Sequence, residues 1–315
     1  MTLVSANRKV RFYLIFMLAP YLILSTIVTA QDKQVLFIAG DPSHGFGNHE
    51  HYGGSELLAR TINEADIGVH AEVVSGWPEN ENAFDHIDAV VIYVTGGERH
   101  PILNHLESFQ QVMDRGVGLV TLHYGVEVPK GEPGDKFLEW QGGYFETDWS
   151  VNPHWTINIT DFPNHSITRG VEPFEINDEW YYHMRFADGN VIPILSDLPP
   201  KESLSRKDGP HSNNKFVRDA VLKRGESQHV AWAYERSNGG KAFGFTGGHY
   251  HWNWANDSVR RLVANAIVWA AGAEVPEEGI AFEPITVLEL SKLTDDPVPE
   301  GWDHQSIQDE IDASQ

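Results

Sequence analysis

The 315-residue sequence contains no cysteine. That excludes a disulfide framework, a thiolate metal site and a cysteine nucleophile. Positive charge is scarce too: 23 Lys and Arg stand against 45 Asp and Glu, a formal net charge of −22 at pH 7. A surface of that sign repels nucleic acid and anionic lipid, so neither is expected as a partner, while neutral substrates and cations are accepted. The one long apolar run, Phe12 to Val28, follows Arg8, Lys9 and Arg11 and leads into Val28-Thr29-Ala30, with small residues where a signal peptidase reads. This reads as a cleaved signal over residues 1–30, which sends the chain across the inner membrane to the periplasm or the extracellular space. The competing reading is a retained anchor; Pro20 and the shortness of the run argue against it.

Histidine, in contrast, is plentiful at 16 residues, and its placement organises the chain. The stretch Gly118-Leu119-Val120-Thr121-Leu122 is apolar and β-favouring, and it stops at His123 and Gly125. In open α/β sheets ligands bind where strands give way to loops at their carboxyl ends, so His123 is presented to a pocket. Two other apolar runs end alike: Gln34 to Gly40 leads to His44 and His49, and Lys241 to Thr246 leads to His249 and His251. If these strands are parallel, the three loops share one edge of the sheet.

Further strands are expected at Val69–Val74, Ala89–Val94, Val191–Leu195 and His229–Tyr234, including an antiparallel edge. Helices are expected at Gly53–Asp66 and Leu103–Arg115, and from an Asp257 N-cap to a Gly272 stop. Short alternation of strand and helix implies an α/β fold, with a mostly parallel central sheet and helices on both faces. Residues 31–272 read as one domain, and 273–315 as an acidic tail packed on the surface and frayed after Pro297. No internal repeat is evident.

The loop His44 to Glu50, Tyr93-Val94-Thr95-Gly96-Gly97, Gly118 to His123, Asp178-Glu179-Trp180-Tyr181, and Phe245-Thr246-Gly247-Gly248-His249 with Ala266 to Gly272, in that order, resemble the trehalose-utilisation or ThuA-like proteins. The resemblance implies the three-layer fold of class I glutamine amidotransferases. In those enzymes the elbow after the central strand carries a cysteine and a later strand brings the histidine that activates it; here those positions are His123 and His249. Without cysteine, amide hydrolysis through a thioester is excluded. The Gly96-Gly97 turn resembles the segment whose backbone N–H groups face an oxyanion.

Converging neutral imidazoles with a carboxylate nearby suit a divalent zinc, manganese or iron ion, and His44, His123 and His249 are the expected ligands. His49 and Glu50 are next in line, with His49 also a substrate-binding candidate. Glu179 is read as general base or fourth ligand, Tyr181 as proton donor, and Trp252 and Trp254 as faces for sugar stacking. His154, His165, His183, His211 and His229 read as structural.

Two functions follow. The first is an exported enzyme of carbohydrate catabolism. ThuA-like proteins resemble partners of a sugar oxidoreductase, which implies a 3-keto-glycoside such as 3-keto-trehalose as substrate, opened by a metal-assisted lyase or hydrolase. The second is a glycan-binding protein that keeps the fold without the chemistry. A homo-oligomer is compatible with either.

Overall fold

Glycine-flanked apolar runs become strands, and the segments between them alternate with helices along the chain. The computed structural model describes residues 1–2 and 32–315, so the expected signal over 1–30 lies almost wholly outside the described residues. The order is β1 (Lys33–Ala39), α1 (His51–Glu64), β2 (Val69–Ser75), β3 (Ala89–Tyr93), α2 (Leu106–Asp114), β4 (Gly118–Leu122), α3 (Glu132–Gln141), β5 (Gly143–Tyr144) and β6 (Trp155–Ile159). There follow β7 (Phe174–Asp178), β8 (Arg185–Phe186), β9 (Val191–Asp197), α4 (Lys215–Arg218), β10 (Gln228–Glu235), β11 (Lys241–Phe245), α5 (Asp257–Ala270), α6 (Val287–Leu290) and α7 (His304–Ala313).

Seven strands form the central sheet in the order β2-β1-β3-β4-β11-β10-β9. β2, β1, β3, β4 and β11 are mutually parallel, and β10 runs against both β11 and β9. The antiparallel strand is therefore one place in from the edge and not the edge itself. Because strand side chains alternate between faces, the sheet builds two cores. Val35, Phe37, Val91, Val120 and Phe243 pack with Leu57, Leu58 and Ile62 of α1 and Leu262, Val263 and Ile267 of α5. Leu36, Ile38, Val90, Ile92 and Leu119 pack with Phe109 and Met113 of α2 and Phe137 and Trp140 of α3. Helices thus cover both faces, as the alternation of elements predicts.

Helix α5 starts one residue earlier than its sequence suggests. Asn256 is the cap, its side chain accepting the Val259 N–H at 3.0 Å, and Asp257 is the first helical residue. The larger departure is the tail. Val275, Ile280, Ile285, Val287, Leu290 and Ile311 are buried in the α1–α5 core, and α7 occupies residues expected to be frayed. Spaced apolar residues explain this: Ile307 and Ile311, four apart, give α7 an inward stripe. Among the described residues no helix is long and apolar enough to cross a membrane.

Beyond the Gly96-Gly97 turn, His100 is buried against Phe137. Its Nε2 faces the Gly125 carbonyl oxygen at 3.2 Å and its Nδ1 accepts the Ile102 N–H at 3.1 Å, so the ring fits as the neutral form. Burial pushes its pKa down to about 4 from 6.5. A histidine with a depressed folded pKa leaves stability intact above the unfolded value and costs stability as pH falls, because the unfolded chain takes up the proton first. Between pH 7.5 and pH 5 this one group is expected to remove about 2 kcal/mol. Urea melts of the wild type and of His100→Gln at both pH values check it: the variant should show that much less acid sensitivity.

Candidate metal centre

Strands β1, β4 and β11 end at the same edge of the sheet because they are parallel, and each hands its histidine to one point. His123 follows β4 directly and bends the chain at φ 49°; His49 sits in the loop after β1 at φ 50°. Non-glycine residues in this left-handed region cost about 1–3 kcal/mol each and persist where surrounding contacts fix them. Those contacts are visible here. The His49 N–H donates to the His249 carbonyl at 3.0 Å, and the His51 N–H donates to that of His49 at 2.8 Å. The β11 turn is held by Asp178, whose buried carboxylate accepts the N–H groups of Gly248 (2.8 Å), His249 (3.0 Å) and Glu179 (2.7 Å) and the Asn253 amide (2.8 Å).

The side chains then meet. His123 Nε2 is 3.0 Å from His49 Nε2, which is 2.9 Å from His249 Nδ1. Glu179 Oε2 completes the group at 3.5 Å from His123 Nε2 and 3.3 Å from His249 Nδ1. The four donor atoms all lie within 4.8 Å of one another. Four ligands at 2.0–2.2 Å from a tetrahedral ion stand about 3.3–3.6 Å apart, close to these separations.

Protonation agrees with that fit. His123 Nδ1 faces the Thr246 carbonyl oxygen at 2.8 Å, so it carries the hydrogen and leaves the Nε2 lone pair pointing into the cluster. His49 Nδ1 meets Ser43 Oγ at 3.0 Å, leaving its Nε2 to the cluster as well. Burial, and after it the neighbouring His123 and His249, push the His49 pKa far down, so this ring is neutral. Burial alone would raise Glu179; positive charge on the side of His123 and His249 that faces it, which a proton or a bound cation supplies, outweighs burial and holds the carboxyl well below its usual range. Facing nitrogen lone pairs at such distances repel unless a cation or proton lies among them, and three imidazoles with one carboxylate suit zinc, manganese or iron. Tyr181 stands behind this group, its hydroxyl 3.2 Å from His123 Nε2. Burial, then Glu179, raises its pKa well above 10, so it stays protonated.

Several residues fall elsewhere than their sequence suggests. His44 is exposed, with Nδ1 on Ser43 Oγ at 3.0 Å, and lies outside the group of four; His49 takes that place, because the bridge between Asn48 and Tyr250 turns this half of the loop inward. Glu50 faces away from the cluster and accepts the N–H groups of Gly47 and Asp295, each at 2.8 Å. The Gly97 N–H donates to the Glu127 carbonyl at 2.9 Å, so it offers nothing to an oxyanion, and Gly96 is pressed against Tyr124 and Glu127. Trp254 is fully buried between Tyr93 and Phe245 and has no face for a sugar. Trp252 lies against Phe46 and Trp302.

Residues near the centre also escaped the sequence reading. The exposed His154 ring is 5.0 Å from that of His249, with Nδ1 on the Tyr250 hydroxyl at 3.2 Å. His211 Nε2 is 2.8 Å from Glu127 Oε1, and this carboxylate, ahead of opposing burial, raises the His211 pKa. No spacing motif marks either one.

The pattern describing the ThuA family, "Trehalose utilisation", matches residues 34–270. The fold is similar to that of a ThuA-like protein from Bacteroides uniformis, with 15% identity over 78% of this chain and 94% of that one and a TM-score of 0.51. A ThuA-like protein from Parabacteroides merdae gives 14% identity over 84% of this chain and 99% of that one, also with a TM-score of 0.51. No curated protein matches. With three-quarters of its length under the family pattern, the chain belongs to the ThuA family.

Proposed function

We propose that this chain is an exported, metal-dependent enzyme of carbohydrate catabolism that opens a keto-glycoside, of the 3-keto-trehalose kind, by elimination followed by hydration. The observation that carries the reading is the convergence of His49, His123, His249 and Glu179 on one buried point. The family description supports a sugar as substrate. A divalent ion held there supplies Lewis acidity toward the ketone oxygen.

The chain's own residues do the rest. A ketone at C3 acidifies the C2 proton; as that proton leaves, the C1–O bond breaks and the departing oxygen takes a proton, after which water adds across C1 and C2. His44 and His154, exposed imidazoles whose ring centroids lie 6.0 Å and 5.0 Å from that of His249, are the groups we assign to these transfers. Glu179, held at Oε1 by Asn152 at 3.1 Å, fits a ligand better than a base, since its basicity is spent on the histidines. The Thr246 carbonyl orients His123, and Tyr181 packs against its ring. A sugar oxidoreductase is the partner reaction that supplies the ketone.

Protein incubated with 3-keto-trehalose or a 3-keto-glucoside, with zinc, manganese and iron each supplied, is expected to release the leaving sugar. The double variant His44→Ala/His154→Ala should be slower by roughly 100-fold or more. Turnover absent with all three ions refutes the reading; binding of unmodified disaccharide that ignores both chelator and His123→Ala would replace it with glycan recognition alone.

A further inference from the structure

Beyond residue 270, where the family match ends, the tail crosses the domain and creates a groove that the domain alone would not have. One wall is α7 with Trp302; the other is the β6–β7 pair and Trp252. Its volume is about 770 Å³, the size of a small-molecule site. Phe46 and Trp302, both half-buried, form an aromatic side backed by the buried Trp252, whose ring centroid lies 4.9 Å from that of Trp302. Glu175, Asn177 and Glu310 line it with exposed polar groups.

The tail is fixed at both ends of this groove. The Asp295 N–H donates to Glu50, and at the far end the Ser314 carbonyl accepts the Glu175 N–H at 3.1 Å, while Ser314 Oγ accepts from the Asn256 amide at 2.9 Å. The groove is also continuous with the histidine centre. Tyr250 lines it and sets its ring 4.9 Å from that of His249, and the Trp252 indole rests on the backbone of Gly47, where even a Cβ would come within 2.5 Å.

We propose that this groove is a saccharide-binding site that receives neutral sugar units. The partly exposed rings of Phe46 and Trp302 beside carboxylates and an amide match a sugar ring, whose C–H face is apolar and whose rim is hydroxyl. The two carboxylates and the negative surface exclude acidic ligands. A purely apolar ligand would take the exposed Glu175 and Glu310 carboxylates out of water without giving them a new partner. The inference goes beyond the reading of the histidine centre and stands without it.

Calorimetric titration of the full chain with trehalose, maltotriose and cellotriose tests the site. Saturable binding of at least one sugar is expected, at least tenfold weaker in Trp302→Ala and in Glu175→Gln/Glu310→Gln. The second variant changes only exposed rim groups, so it stays informative if the first loosens α7. Binding should be unchanged when chelator is present, which separates this site from any failure of the metal chemistry. The proposal is overturned if none of the three sugars titrates, if binding survives both variants, or if chelator abolishes it.

Discussion

His49→Ala is expected to weaken transition-metal binding by roughly 100-fold or more, while His44→Ala leaves it within about threefold. Loss of a group that merely orients a ligand costs 10–100-fold in metal affinity, and loss of a ligand costs at least the upper end of that range. His49 Nε2 lies at 3.0 Å and 2.9 Å from two other donors, so its removal leaves three of the four candidate donors and a gap. His44 meets the group through Ser43 and through ring contacts with His49 and His249, and gives it no donor atom. Plasma mass spectrometry on dialysed protein, followed by chelator competition, reads both: about one equivalent per chain in the wild type and in His44→Ala, and little in His49→Ala. The reverse pattern would mean that the loop after β1 is turned the other way.

Asp178→Ala should cost about 3–5 kcal/mol of stability, the scale for breaking a buried charged hydrogen-bond network. Its carboxylate accepts four hydrogen bonds, among them two successive backbone N–H groups at Gly248 and His249. Without it those donors are buried and orphaned. Asp178→Asn keeps the volume and one carbonyl acceptor but turns an amide NH₂ toward other donors, so it should fall between wild type and Ala. Urea midpoints rank the three proteins. Because Gly248 sits at φ 104° and His249 follows it, metal affinity should fall together with stability.

The sheet was legible because its signal is local. Leu119 to Leu122 and Ala89 to Tyr93 are continuous apolar runs bounded by glycine or acid, and they form buried parallel strands. That three of these strands share an edge followed from parallel order, which brought His123 and His249 together on paper. The choice between His44 and His49 was not legible. Both lie in one Gly-rich loop, and only the pairing of Asn48 with Tyr250, across 202 residues, decides which imidazole turns in. Trp254 misled for a related reason: tryptophan beside a site histidine reads alike whether it lines a pocket or fills the core, and here Tyr93 and Phe245 enclose it. The tail misled through its composition, since acid and proline hid Val287, Leu290 and Ile311, which anchor it.

The Glu50 carboxylate ties the loop that carries His49 to Asp295, a contact spanning 245 positions. A single protease cut between Gly272 and Asp295 would leave the sheet and all four donor residues covalently connected. It would nonetheless free the strap that closes that loop and open to water a buried carboxyl whose pKa burial holds above its ordinary value. Nicked protein would then pass a test for secondary structure and fail one for metal retention, so an intact chain end belongs among the purity criteria for any preparation used to measure this centre.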